Sequence, residues 1–262
     1  PPRSTLFPYT TLFRSIEILL VAYAPNPQEG SADFRLRALV SALKELRAAR
    51  RPYPLLGLYL SPEAFASALG DNSDLTTPQG REIFYRGIRA FYQQIPPEFR
   101  AETGDPEKDR GLPVLLGPPR GLSNWDAAGL ESAAQNFGAD FPGAHLVWLA
   151  DPAWKSKGVS NLAAYPPLSG DQPSGFDASG KFPVAVISPG RLDSPTNWKR
   201  LEPQDFRQQW SKLQVLAPAY VVLDSWNDFS RGRQIAPSRQ EGFAFIDALQ
   251  LLRSEEHTSE LQ

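Results

Sequence analysis

The chain has no cysteine and no methionine. The first absence excludes disulfides, thiolate nucleophiles and cysteine–zinc sites, and leaves the redox compartment open. The second means that no natural start is visible. Histidine is almost as scarce, with 2 in 262 residues. His257 lies in a terminal stretch set aside below, and His145 sits inside the apolar run 144–149. A lone histidine in such a run is the mark of a satisfied core residue, so Ser-His-Asp catalysis and multi-histidine metal sites are not expected. Charge of one sign is also missing. The formal net charge is -2, too little to build a basic field for nucleic acid or anionic lipid. No apolar run approaches the roughly 20 residues that span a bilayer. There is no G-x-G-x-x-G after the first strand and no phosphate loop of the G-x-x-x-x-G-K type. Carboxylates are the main acid–base resource left.

Hydrophobic residues make up 41% and charged residues 21%, the balance of a folded globular chain. The two ends are different. TLFPYTTLFRS at Thr5–Ser15 and RSEEHTSELQ at Arg253–Gln262 look like in-frame translations of sequencing-library adapters. The expected organisation is therefore an adapter-derived segment 1–15, a genuine segment 16–252, and an adapter-derived segment 253–262.

Within 16–252, short apolar runs alternate with amphipathic segments. Strands are predicted at Ile16–Tyr23, Leu55–Leu60, Leu112–Gly117, His145–Leu149, Phe182–Ser188 and Tyr220–Leu223, with a weak one at Asn161–Tyr165. Helices are predicted at Ala32–Arg50, Pro78–Ile95, Asn124–Ala139, Pro203–Val215 and Arg239–Leu252. Ser238 and Glu241 have capping-box spacing at the start of the last. Pro96–Gly111 and Pro166–Lys181 read as loops. The strands lack alternation, which suits a parallel sheet covered on both faces. Strand–helix repeated about seven times predicts an α/β fold, a (β/α)8 TIM barrel truncated at its N-terminus, with the first βα unit missing.

In such folds ligands are handled where strands end. The stretch after Tyr220–Leu223 becomes polar at once: Asp224, Ser225, Trp226, Asn227, Asp228. If the extended conformation continued, Asp224, Trp226 and Asp228 would share one side by the two-residue period of a strand. Carboxylates with an indole at a barrel mouth make a sugar site, since aromatic faces pack on sugar rings and carboxylates bind hydroxyls or move protons. Other strand exits add Tyr23, Tyr59, Glu63, Asp151, Trp154, Arg191 and Asp193. Acids after strands also cap helices, so composition alone leaves a structural role open for each.

SWNDFSRGRQIAPSRQEG at Ser225–Gly242 resembles the W-N-E-x-x-E-G-x-x-I-x-x-(S/T)-x-x-Y-G signature of endo-α-mannosidase-like glycoside hydrolases. It is closer still to an uncharacterised bacterial family of barrels in that group. DLTTPQGREIFYRGIRAFYQQIPPEF at Asp74–Phe99 is similar to that family's D-L-T-T-P-E-G-K-x-x-F-Y segment and following I-P-P. ISPGRLDS at Ile187–Ser194 is similar to its I-G-P-G-Y-D-D-S segment. The resemblance implies a (β/α)8 barrel, a carbohydrate partner, glycan hydrolysis in the relatives, and no cofactor. The location is left unknown, a secreted or periplasmic one being compatible with the resemblance, and the oligomeric state is left open.

Carried over, Trp226 and Asn227 match the motif, and Asp228 stands at its first Glu. Asp is one methylene shorter, and a setback of about an ångström can cost roughly 100-fold in rate. Arg231 stands at the second Glu. Arginine is no general acid or base near neutrality, and beside Asp228 it would hold that acid ionised. Tyr23-Ala24 replaces Tyr-Trp, and Gly190-Arg191 replaces Gly-Tyr. Two readings stay open at this point. One is a glycoside hydrolase using Asp228 with Asp193, Asp224 or Glu63. The other is a non-catalytic glycan-binding barrel with Arg231 in place of the catalytic Glu. In both, Trp226, Asn227, Arg231, Tyr23, Tyr59, Glu63, Trp154 and Arg191 are the expected substrate contacts.

Overall fold

A computed structural model describes residues 17–23, 31–63, 66, 73–103, 110–157, 163–164, 174–179, 183–190, 200–230 and 232–249. Both adapter-like ends lie outside this set. The chain divides into two compact units, 1–162 and 163–262.

The first unit carries strands β1 (Ile18–Ala22), β2 (Leu55–Leu60), β3 (Arg110–Leu116) and β4 (Ala144–Ala150). They lie side by side in chain order and all run parallel, with Leu20 opposite Gly57, Leu58 opposite Val114, and Val114 opposite Trp148. Parallel neighbours need a crossover, and helices α1 (Ser31–Ala48), α2 (Pro78–Gln94) and α3 (Ala127–Asp140) lie in the three connections. The strand order never doubles back in this unit, unlike the order of a nucleotide-binding open sheet, and is consistent with a TIM-barrel-like fold.

The continuous apolar runs predict strands covered on both faces; β2, β3 and the later part of β4 are, while β1 is only half-buried. Leu56, Leu58, Leu60, Val114 and Leu116 are fully buried, each leucine contributing about 1.5–3 kcal/mol of transfer free energy. Helix α2 buries Phe84, Tyr85, Ile88, Phe91 and Tyr92 against this sheet. The Tyr92 hydroxyl donates to the Pro113 carbonyl of β3 at 3.0 Å. The Tyr85 hydroxyl donates to Asp140 at 2.5 Å and ties α2 to α3.

Tyr23 is part of this core, contrary to its expected role as a substrate contact. It is 4% exposed and packs on Phe91 with ring centres 5.5 Å apart. Its hydroxyl donates to Asp33 of α1 at 2.5 Å, and the Gln94 amide donates to both, at 3.1 Å to Tyr23 and 2.8 Å to Asp33. Burial, then the Asp33 carboxylate, push the Tyr23 phenol well above its usual range. The Tyr23 and Gln94 donors hold the Asp33 carboxyl below its usual value. A carboxyl depressed in the folded state stabilises above its unfolded pKa of about 3.9, and that stability is lost as pH falls through the folded value. Asp33→Asn should therefore shrink the drop in urea midpoint between about pH 6 and about pH 3. An undiminished drop would show that Asp33 plays no part in it.

The second unit opens with a two-residue strand, β5 (Ala163–Ala164), followed by β6 (Ser174–Asp177), β7 (Val184–Ile187) and β8 (Tyr220–Leu223). β7 and β8 are parallel and joined through helix α4 (Pro203–Gln214), a β–α–β unit as predicted. β6 is a correction. It falls inside the predicted loop 166–181 and pairs antiparallel with β7, Phe176 opposite Ala185. Ser-Gly-Phe-Asp has weak strand propensity of its own, and the pairing comes from the fully apolar edge of Val184–Ile187.

The last helix is also corrected. Helical geometry covers 244–249 among the described residues, not the whole predicted segment from Arg239. Ser238 Oγ accepts the Glu241 N–H at 3.0 Å, as a cap should. The reciprocal half of the box is absent: the Ser238 N–H donates to the Gly242 carbonyl, and the Glu241 carboxylate bonds Arg200. A charged partner outcompetes a backbone amide for that carboxylate.

Candidate functional site

The polar stretch after β8 folds into a self-bonded loop. Strand pairing runs one residue past β8, the Asp224 N–H donating to the Ile187 carbonyl at 2.9 Å. The Asp224–Ser225 peptide is cis. From there the chain turns. The Ser225 N–H donates to the Arg233 carbonyl at 3.1 Å, the Arg233 N–H to the Asp228 carbonyl at 3.0 Å, and the Ala236 N–H to the Trp226 carbonyl at 2.9 Å. The Asp228 N–H donates to Ser225 Oγ at 3.2 Å. Gly232, at a φ of 66°, closes the turn that brings Arg233 back beside Ser225.

This corrects the period-two expectation. The chain is not extended beyond Leu223, yet Asp224 and Asp228 converge by another route. Arg233 Nη1 donates to Asp224 Oδ2 at 2.7 Å, while its Nε and Nη2 donate to Asp228 Oδ2 at 3.0 and 2.8 Å. The second Asp228 oxygen accepts from the Ser230 hydroxyl at 2.8 Å. The two carboxylates are thus brought together on one cation. One guanidinium donates to both carboxylates. The Arg233 side chain is 18% exposed, against 33% for Asp224 and 21% for Asp228, so solvent reaches all three.

Around the pair, Trp226 is half-buried and Asn227 exposed. Phe229, on the same turn, is 54% exposed. Sequence reasoning missed both Arg233 and Phe229. No spacing rule points to an arginine nine residues after one acid and five after the other, because the turn that joins them is not periodic. The expected positive charge was Arg231, which lies outside the described residues together with Arg191 and Asp193.

In the first unit, Tyr59 is half-buried near the end of β2 and Glu63 is exposed beyond it. Trp154 is fully buried, its indole N–H donating to the Gly117 carbonyl at 2.8 Å and its ring edge-on to Trp125. A closed indole of this kind offers no stacking face, so Trp154, like Tyr23, is placed as a core residue and not as the open contact expected. Asp151 caps the 3-10 turn that follows β4 through the Ala153 N–H. His145 lies at the beginning of β4, away from the strand exits. Among the described residues no three His, Cys, Asp or Glu side chains gather in a way that could hold a metal ion. Nor is any described helix long and apolar enough to cross a membrane.

No family model matches the chain, and no curated protein matches it either. Among solved structures the chain is similar to the GH99 endo-α-mannosidase from Bacteriodes thetaiotaomicron, determined in complex with bis-tris-propane. The superposition has a TM-score of 0.58 at 11% identity, and covers 97% of this chain and 84% of that one. The chain therefore shares the α/β fold of a glycoside hydrolase, through a distant structural relationship.

Proposed function

We propose that this chain is a glycoside-hydrolase-like protein that engages an oligo- or polysaccharide through the loop following β8, on a TIM-barrel-like α/β fold. The observation that carries the reading is the pairing of Asp224 and Asp228 on Arg233 at the exit of a parallel strand. Trp226 and the exposed Phe229 supply apolar faces beside carboxylates that accept hydroxyl donors, which is the chemistry of a sugar ring. The fold shared with an endo-α-mannosidase makes mannose-containing oligosaccharides the first probes.

For hydrolysis, one carboxylate attacks the anomeric carbon or activates water, and a protonated acid delivers a proton to the leaving oxygen. Asp228, oriented by Ser230 and Arg233, fits the first role. Asp224 is held by the same guanidinium as Asp228, on the same side of the site. The donor would have to be another acid, with Asp193 as the candidate from the sequence. The second reading, glycan binding without hydrolysis, is favoured by the same clamp, since one arginine engages both acids.

A panel of oligosaccharides, assayed for new reducing ends and for binding heat, tests both. On the hydrolase reading, Asp228→Asn lowers turnover by at least about 100-fold, the usual contribution of a catalytic carboxylate. On the binding reading, the parent shows binding heat without turnover, and the variant weakens it. A parent that binds and cleaves nothing across the panel would sink both.

A further inference from the structure

Arg200, in the segment before α4, has a side chain only 6% exposed. Its Nε and Nη2 grip both oxygens of Glu241. Its Nη1 donates to the Gly232 carbonyl at 2.6 Å, and Nη2 also donates to the Gln234 carbonyl at 2.8 Å. The guanidinium lies over the Phe245 ring, 4.5 Å from its centre. Glu241 is held in turn by the Ser238 hydroxyl on its backbone N–H.

The two carbonyls that Arg200 grips belong to the residues on either side of Arg233. A buried charge is costly to desolvate, and an apolar side chain of similar volume would commonly serve stability as well. What an apolar side chain cannot do is bond two carbonyls at once, and the planar fork of arginine fixes them in direction as well as distance. We infer that Arg200 is a positioning residue, which fixes the backbone around Arg233 and so sets the guanidinium between Asp224 and Asp228. The chain of contact runs Ser238, Glu241, Arg200, the Gly232 and Gln234 carbonyls, Arg233, and then the two carboxylates. Sequence spacing assigned Ser238 and Glu241 to a helix cap. Their placement here makes them the far anchor of the carboxylate loop.

The inference rests on Asp224 and Asp228 being the working pair, but its test needs no glycan. The Arg233 Nε–H is bonded to Asp228, so its nitrogen-15 resonance and its hydrogen exchange report the clamp directly. In the full chain, Arg200→Lys and Glu241→Gln should each speed that exchange by about tenfold or more. Leu213→Val, a core change in α4 with no bond to the loop, should leave it within about twofold of the parent. Unchanged exchange in the folded Arg200→Lys or Glu241→Gln protein would overturn the inference, as would equal loss in Leu213→Val. If Arg200→Lys does not fold, Glu241→Gln decides the matter alone. A chain that shows the expected pattern yet binds no sugar would refute the glycan reading and leave the positioning role standing.

Discussion

Arg233→Met should destabilise the second unit by about 2 kcal/mol, read as a lower urea midpoint at unchanged slope. The change removes three hydrogen bonds to carboxylates that remain in place, Asp224 at 2.7 Å and Asp228 at 3.0 and 2.8 Å. Breaking a fully buried pair by deleting one partner costs about 3–5 kcal/mol. Here the side chains are 18–33% exposed, so water takes over part of the solvation and the cost falls. The remaining penalty has two sources: the lost charge-assisted bonds, and the loss of the one guanidinium that joins the two acids. The same logic predicts recovery. Adding Asp224→Asn to Arg233→Met should restore about half of the loss, because one of the two acids left without that guanidinium is gone. A midpoint shift equivalent to less than about 0.5 kcal/mol would show that solvent already carries both carboxylates.

Gly80→Ala should cost about 1–3 kcal/mol, against the ordinary sign for a helix. In an open helix, Gly→Ala stabilises by about 0.5–1 kcal/mol. Gly80 is in the first turn of α2, and a Cβ there would stand 1.9 Å from the Asp74 carbonyl oxygen. That carbonyl has little freedom to retreat. It accepts the Thr77 hydroxyl at 2.8 Å, and Thr77 Oγ1 accepts the Gly80 N–H at 3.0 Å. The Asp74 carboxylate accepts both the N–H and the hydroxyl of Thr76, at 2.8 and 2.6 Å, which also holds its pKa below the usual value. Arg81 then bonds the Leu75 carbonyl at 2.9 Å and Asp126 at 3.0 Å, and Asp126 caps α3 through the Gly129 N–H. The D-L-T-T-P-Q-G segment is thus a cap locked from both sides. Gly138, near the end of α3, has nothing within 4 Å of its would-be Cβ. Gly138→Ala should therefore gain about 0.5–1 kcal/mol. Similar losses at both positions would mean that the close approach at Gly80 relaxes freely.

The alternation of elements was legible in the residues because it rests on local chemistry. Leu55–Leu60 was predicted residue for residue, and α2 to within one, since apolar runs bounded by proline and an N-cap threonine leave few alternatives. Parallel pairing in the first unit followed from runs that lack alternation. The polar stretch after β8 was equally visible as a place where acids gather. What only the tertiary structure decided was partnership. Tyr23 and Trp154 carry the composition of sugar platforms, yet Asp33, Gln94 and the Gly117 carbonyl claim their polar atoms within the core. β6 is a strand because β7 offers it an edge. Asp224 and Asp228 meet through a turn and an arginine, not through strand periodicity, and Glu241 leaves its expected cap for Arg200. A residue's propensity is set by its own side chain and its near neighbours. Which of several charged groups it pairs with depends on distances that exist only once the chain has closed on itself.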